Sequence, residues 1–327
     1  MKYLKVLFFL FLLVGTIIIL RNHQPAEDTP YHVSEGRIFG TQYKVVYQHP
    51  AILDACIDSV LQRVDCSLSM FNKRSTLARI NSGESNRVDS LFAEVFKLSL
   101  KVAEVTNGAF DPTIAPAVNA WGFGPKRRMS LTPHELDCIV ALVGYKNVTL
   151  EGDTLLIRTD SRINLDFGAI AKGFAVDCVG EMLSMNGVAN YMVEIGGEVV
   201  VKGVNEKGTN WRIGIQKPTT AETSVQEVVQ LQDVAMATSG NYRNYYVNEA
   251  GDRVAHTIDP RTSLPVTHSL LSATVVAPTC AIADAYATAF MVLGLDDAKL
   301  VLAENPELKV FFIYAEGDTL QYYSTLD

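Results

Sequence analysis

No run of basic residues longer than Lys126-Arg127-Arg128 stands in the chain, and that scarcity removes one class of partner at the outset. Its 28 lysines and arginines face 36 aspartates and glutamates, for a formal net charge of −8. Binding nucleic acid requires clustered cations to neutralise phosphates, so no nucleic acid is expected as a partner. Cysteines are few: Cys56, Cys66, Cys138, Cys178 and Cys280 are odd in number, scattered and without C-x-x-C spacing. This excludes a disulfide framework and a cysteine-based zinc site, and most of the five are expected to be small apolar core side chains. G-x-S-x-G and H-E-x-x-H are both missing, as is a full phosphate-loop pattern, so the common hydrolase, zinc-protease and nucleotide signatures do not apply. The body also lacks internal repeats and low-complexity tracts, which excludes a repeat architecture.

What is present is enough apolar material for a real core, 48% hydrophobic residues over 327 positions. One long apolar run exists, Val6 to Leu20, with Lys2 and Lys5 before it and Arg21 after it. No small-x-small cleavage site follows and no cysteine stands near its end, so the run is expected to be an uncleaved membrane anchor. Positive charge at its start keeps the N-terminus in the cytoplasm and puts the body outside. The expected organisation is a signal or membrane anchor over 1–21, a polar linker over 22–34 carrying Pro25 and Pro30, and a single body over 35–327.

Within the body, the organising stretch is Arg162 to Asp177, RINLDFGAIAKGFAVD. Polar and apolar residues alternate from Arg162 to Asp166 at the period of a strand, Gly168 turns the chain, and apolar positions from Ile170 to Leu183 recur at helical spacing. A strand, a tight turn and a helix are therefore expected, with open backbone N–H groups at the helix start, Lys172 in its first turn and Asp166 just before it. Either an anion is bound there or the turn is a plain capped connection. Further helices are expected over Ile52–Leu68, Ser75–Asn81, Leu91–Thr106 and Thr132–Val143, and from Ala281 to Leu293 behind an N-cap at Thr279. Strands are expected over Arg37–Tyr47 with a bulge at Gly40, around Val148 and Leu155, on both sides of Gly196-Gly197, and over Trp211–Ile215, Val225–Gln230, Val234–Thr238, Leu271–Val276, Val310–Ile313 and Leu320–Tyr323. The fold class is α+β, with antiparallel-rich sheets flanked by helices.

Candidate chemistry is sparse and specific. Asp284 and Thr288 are four residues apart on the alanine-rich last helix, so they share a face and offer hard oxygen ligands of the kind magnesium takes, although each also has an ordinary helical role. His256 precedes the turn Thr257-Ile258-Asp259-Pro260-Arg261, where it is either a general base or a surface histidine at a strand end, and Arg261 is a candidate phosphate clamp. The segment from Gly108 to Gly124, dense in glycine, proline and aromatics, is either a wall that presents Phe110, Asp111 and Trp121 or a packed connector.

Taken in order, GAFDPTIAP with WGFG, LDFGAIAKGFAVD, YMVEIGGEVVVKG, ATSGNYRNYY, HTIDPRTSLPV and APTCAIADAYATAFMVLG resemble the successive signature segments of the ApbE family of FAD:protein FMN transferases. The resemblance spans the chain from about Phe39 to the alanine-rich helix. It implies a magnesium-dependent transferase that splits FAD, attaches FMN to a threonine of a target protein through a phosphoester and releases AMP. Implied targets are membrane redox subunits such as those of sodium-pumping quinone reductase and Rnf complexes, which places the enzyme at the bacterial inner membrane facing the periplasm. By motif position, it implies metal ligation by Asp284 and Thr288, with backbone oxygens of Ala169 and Ala287. Flavin contacts fall on Phe39, Phe71, Ala109, Phe110, Asp111, Asp166, Lys172 and Ile258, and His256 takes the place of the base that deprotonates the acceptor. One departure is Ser263, where the family pattern has glycine; if that turn needs positive φ, serine is strained there. An FAD pyrophosphatase and a non-catalytic flavin binder remain as alternatives at this stage.

Overall fold

The computed structural model describes residues 29–124, 131–217, 225–241, 245–247, 253–317 and 319–326. The expected anchor over 1–21 lies outside the described residues, and among the described residues no helix is long and apolar enough to cross a membrane. The chain enters the fold in a hairpin, β1 (Tyr31–Ile38) and β2 (Thr41–Gln48), so the first strand begins inside the segment expected to be linker. The expected single strand over Arg37–Tyr47 is thus two strands. Phe39 (φ 52°) and Gly40 (φ 77°) both take left-handed backbone, the two-residue turn whose twist suits an antiparallel hairpin.

Helices follow: α1 (Asp54–Leu68), α2 (Thr76–Asn81), α3 (Ser90–Val105), α4 (Ala115–Ala120) and α5 (Pro133–Val140). Three of their starts carry a side-chain cap, while α1 and α4 begin without one. The Ser75 side chain accepts from Ala78 N, the Asp89 side chain from Phe92 N, and Thr132 with Glu135 closes a reciprocal capping box. A small hairpin, β3 (Val148–Glu151) and β4 (Leu155–Arg158), leads to α6 (Ala171–Met185).

Next come β5 (Tyr191–Ile195), β6 (Glu198–Lys202), β7 (Trp211–Gln216), β8 (Val225–Leu231) and β9 (Val234–Gly240). Two short pairs, β10 (Tyr245–Val247) with β11 (Arg253–Ala255) and β12 (Ile258–Asp259) with β13 (Leu264–Pro265), precede β14 (Leu270–Ala277). The chain then runs through α7 (Cys280–Leu293), α8 (Leu295–Glu304), β15 (Lys309–Glu316) and β16 (Thr319–Ser324). β9 runs on through Ser239-Gly240, two residues beyond the strand expected over Val234–Thr238. α8 was not expected: Ala298 and Leu302 are its only buried residues, a signal too thin to separate from the end of α7.

The frame is one eight-stranded sheet in the order β1-β2-β5-β6-β9-β14-β15-β16, antiparallel at every junction. One face carries the main core. There α6 lies over β5 and β6, and α7 lies over β9 and β14, with α1 behind α6. The opposite face is covered in its middle by the β7–β8 hairpin, whose Trp211, Ile215 and Leu231 pack on Val199, Val201, Met236 and Val276.

The expected strand over Arg162–Asp166 is absent, and the reason is visible in its hydrogen bonds. Leu165 N donates to Asn81 Oδ1 and Asn81 Nδ2 donates to Leu165 O, each at 2.8 Å, while Asp166 N donates to Pro112 O at 2.8 Å. A side chain and a loop satisfy the backbone that a neighbouring strand would have satisfied. The two-residue period survives without the sheet, since Ile163, Leu165 and Phe167 all point into the core.

α6 and α7 cross in near contact. A Cβ at Gly173 would stand 2.3 Å from the carbonyl oxygen of Cys280 and 2.8 Å from Asp284 Cβ. Each helix also lends the other a carboxylate. Asp177 on α6 accepts from Cys280 N and Ala281 N, both at 2.8 Å, and Asp284 on α7 accepts from Gly173 N at 3.1 Å through Oδ2. Burial pushes the Asp177 pKa up to about 6, a cost that the two backbone donors partly offset.

Gly173→Ala is expected to lower stability. An added methyl at the crossing costs roughly 1–3 kcal/mol of overpacking, more than the ~1 kcal/mol of helix propensity that alanine gains over glycine. Denaturant unfolding with an unchanged midpoint would contradict the close approach.

Candidate active site

The two crossing helices open at one end onto a cavity of about 480 Å³, within the roughly 300–1,000 Å³ range of small-molecule sites. Its walls come from seven parts of the chain. α6 and the turn before it supply Asp166, Gly168, Ala169 and Lys172; α7 supplies Asp284 and Thr288. The β5–β6 turn supplies Gly196 and Glu198, and the end of β9 supplies Thr238, Ser239 and Gly240. Ala109, Phe110 and Asp111 follow α3, His256 and Ile258 lead into β12, and Met70 with Phe71 forms part of the rim.

Of the thirteen site residues that the family resemblance implies, eleven line this one cavity and Phe39 and Ala287 do not; Arg261 and Trp121, candidates on other grounds, also lie off its wall. Phe39 sits in the β1–β2 turn and packs against the core, while Ala287 is wholly buried inside α7.

The polar end is a triad. Lys172 Nζ lies 3.0 Å from Glu198 Oε1 and 3.6 Å from Asp284 Oδ2. Burial pulls the lysine pKa down, but the two carboxylates outweigh it and hold the ammonium above its ordinary range. Burial pushes Glu198 up, against the pull of Lys172. Two of the helix-start donors expected to be open are used within the fold: Ala171 N donates to Phe167 O and Gly173 N to Asp284. An anion arriving here also meets the positive charge of the Lys172 side chain.

A hard cation fits the donors present. Asp284 is 2% exposed and its Oδ1 accepts from no described residue, while Thr288 one turn later lines the same cavity and shares a 3.0 Å hydrogen bond with Ser239. One buried carboxylate with an open oxygen and a nearby hydroxyl is a donor set of the kind magnesium takes, since it keeps waters and substrate phosphate oxygens and needs only one or two carboxylates from protein.

Two loops set the remaining wall. Asp111 spends both oxygens inside the protein: Oδ1 accepts from Thr113 N and Oγ1, and Oδ2 from Tyr145 N at 2.6 Å. It shapes the wall as a clamp, and burial pushes its pKa up despite these bonds. Asp166 accepts from Gly168 N at 2.7 Å, stapling the turn before α6, and burial pushes its pKa up as well. Phe71 is 74% exposed at the rim, placed to lie over a planar ligand.

His256 is half-buried, with Phe123 edge-on at a ring separation of 6.3 Å. The loop after it is held from the same segment, since Trp121 Nε1 donates to Ser263 O at 2.7 Å. Arg261 is not a free phosphate clamp. Its guanidinium grips Asp259 through Nε and Nη2, and it is absent from the cavity wall. Sequence reasoning passed over Glu198, Ser239 and Phe123, although the Gly-Gly before Glu198 marked a tight turn at which a following side chain is rigidly held.

The ApbE family profile matches residues 39–312. The FAD:protein FMN transferase of Vibrio cholerae is 38% identical over 324 residues, covering 96% of this chain and 95% of that protein, and that of Haemophilus influenzae is 40% identical over 295 residues, covering 85% of each. Among solved structures, the flavin transferase ApbE from Vibrio cholerae superposes with a TM-score of 0.81 at 37% identity, over 90% of this chain and 97% of that one. The apo form of the Pseudomonas stutzeri flavinyl transferase ApbE gives a TM-score of 0.81 at 30% identity, over 90% and 94%.

Ser263 takes φ 54° and is fully buried, with its Oγ unpartnered among the described residues. Ser263→Gly is expected to stabilise the protein by roughly 1 kcal/mol, because relief of left-handed strain exceeds the entropy that glycine loses on folding. A lower unfolding midpoint in that variant would contradict the assigned strain.

Proposed function

Because the chain belongs to the ApbE family and transfers FMN from FAD to protein, we propose that its acceptor is a threonine hydroxyl and that the transfer depends on magnesium. The bond that forms joins the threonine oxygen to the phosphorus of the FMN half; the bond that breaks is the diphosphate P–O bond, and AMP leaves. The observation that carries this reading is the convergence of Asp284, Thr288, Lys172 and His256 on one cavity wall.

In phosphoryl transfer the protein mainly positions groups and neutralises charge. Asp284, Thr288 and the Ala169 carbonyl would hold magnesium, which would supply Lewis-acid stabilisation of the diphosphate. Lys172 contributes a permanent positive charge next to that point, kept charged by its two carboxylates. His256 takes the proton from the attacking hydroxyl, with Phe123 and the Trp121-anchored loop fixing its ring. Phe71, Phe110 and Ile258 offer apolar surface to the isoalloxazine, and the exposed side of Phe71 leaves the mouth open to a protein acceptor. An open mouth also admits water, which supports FAD pyrophosphatase activity as the second reading.

We further propose membrane redox subunits of the quinone-reductase and Rnf type as targets. The apolar run Val6–Leu20 behind Lys2 and Lys5 supports an anchor in the bacterial inner membrane with the body on the periplasmic side.

Co-expression with a candidate acceptor and in-gel flavin fluorescence tests the transfer. Covalent flavin that disappears when the acceptor threonine becomes alanine is expected, and Asp284→Ala is expected to cut labelling by at least about 100-fold with the fold retained, the scale of losing a charge-stabilising group. Full labelling by Asp284→Ala would refute the metal assignment. Rapid AMP release from FAD and magnesium, unchanged by acceptor and without labelling, would favour the hydrolase.

A further inference from the structure

We infer that Glu198 is a positioning residue that holds Lys172 off Asp284 and so keeps the Asp284 carboxylate available to a divalent cation. This rests on the magnesium reading above. Three charged side chains meet here, two carboxylates and one ammonium, and their spacing is uneven. Lys172 Nζ makes its close contact with Glu198 Oε1 at 3.0 Å and stands further from Asp284 Oδ2, at 3.6 Å. Both carboxylates are almost wholly buried, Glu198 at 4% exposed and Asp284 at 2%, and they share the one ammonium unequally, with the closer contact going to Glu198.

Glu198 is built to win that competition. It is the first residue of β6, paired with Ile195 across a two-residue turn in which Gly196 and Gly197 have φ of 67° and 110°. Its Oε2 is tucked against Gly196, where an added Cβ would stand 3.4 Å away, and it has no hydrogen-bond partner among the described residues. A buried carboxylate oxygen left without a partner is a poor stabilising device. The residue makes sense as the counterion that takes the lysine.

The charge consequence follows directly. With Glu198 ionised the triad carries one net negative charge, facing the cavity through Asp284. With a neutral amide at 198 the lysine has only Asp284 to pair with, the net charge falls to zero, and an arriving cation meets an ammonium already on its ligand. Removing the lysine as well restores the negative charge and frees Asp284.

The test is Mn²⁺ alone, titrated into the FAD-free full chain and followed by the loss of the free-ion electron paramagnetic resonance signal, with unfolding midpoints confirming that each variant folds. Glu198→Gln is expected to weaken Mn²⁺ binding by about tenfold or more, Glu198→Asp to retain part of the affinity, and the double variant Glu198→Gln with Lys172→Met to return to within a few-fold of the parent. Unchanged binding in Glu198→Gln overturns the inference. So does loss that the second substitution fails to rescue, because a structural defect at Glu198 would persist without the lysine. A parent protein that binds no Mn²⁺ also overturns it, and the acceptor-labelling assay then judges the magnesium reading separately.

Discussion

Everything at the site depends on how closely two helices approach at Gly173. Hydrogen in place of a side chain lets α6 reach the first turn of α7, and there each helix gives the other an aspartate. Asp177 fills the start of α7 and Asp284 reaches the start of α6. An acid at a helix N-terminus is favoured electrostatically, so the groups that fix the crossing also fix the site. Lys172, one residue before the crossing glycine, is delivered to the same point by the same geometry. The surrounding sheet makes this rigid, with α6 seated on β5–β6 and α7 on β9–β14 at its centre.

The site's character follows from which charges are satisfied internally. Asp111 and Arg261, both candidates from sequence, spend their hydrogen bonds on loops and shape the wall from behind. At the polar end Lys172 stands between the Glu198 and Asp284 carboxylates. At the other end the wall turns apolar and opens at Phe71. A ligand that carries a diphosphate at one end and a flat ring at the other suits this polarity, in agreement with the transfer of FMN from FAD.

Much of this was readable in the sequence because the signals were local. N-caps at Ser75, Asp89, Thr132 and Thr279 mark helix starts, and Gly196-Gly197 marks a hairpin. The misses came where a partner distant in sequence decides the outcome. Arg162–Asp166 alternates like a strand, but Asn81 and Pro112 take its hydrogen bonds before any strand can. The turn at Phe39-Gly40 carries no Asn-Gly or Asp-Gly signal, since an aromatic residue occupies a left-handed position there. Glu198 looks like any acid after a tight turn until the fold brings Lys172 to it from another element.

The most direct test is a crystal structure of the protein with FAD and magnesium bound under conditions that prevent turnover. The account predicts a cation at about 2.1 Å from an Asp284 carboxylate oxygen and from Thr288 Oγ1, with the FAD diphosphate on the same ion and the Lys172 ammonium still paired with Glu198. A diphosphate lodged away from the end of the α6–α7 crossing, or bound there with no cation on Asp284, would contradict it.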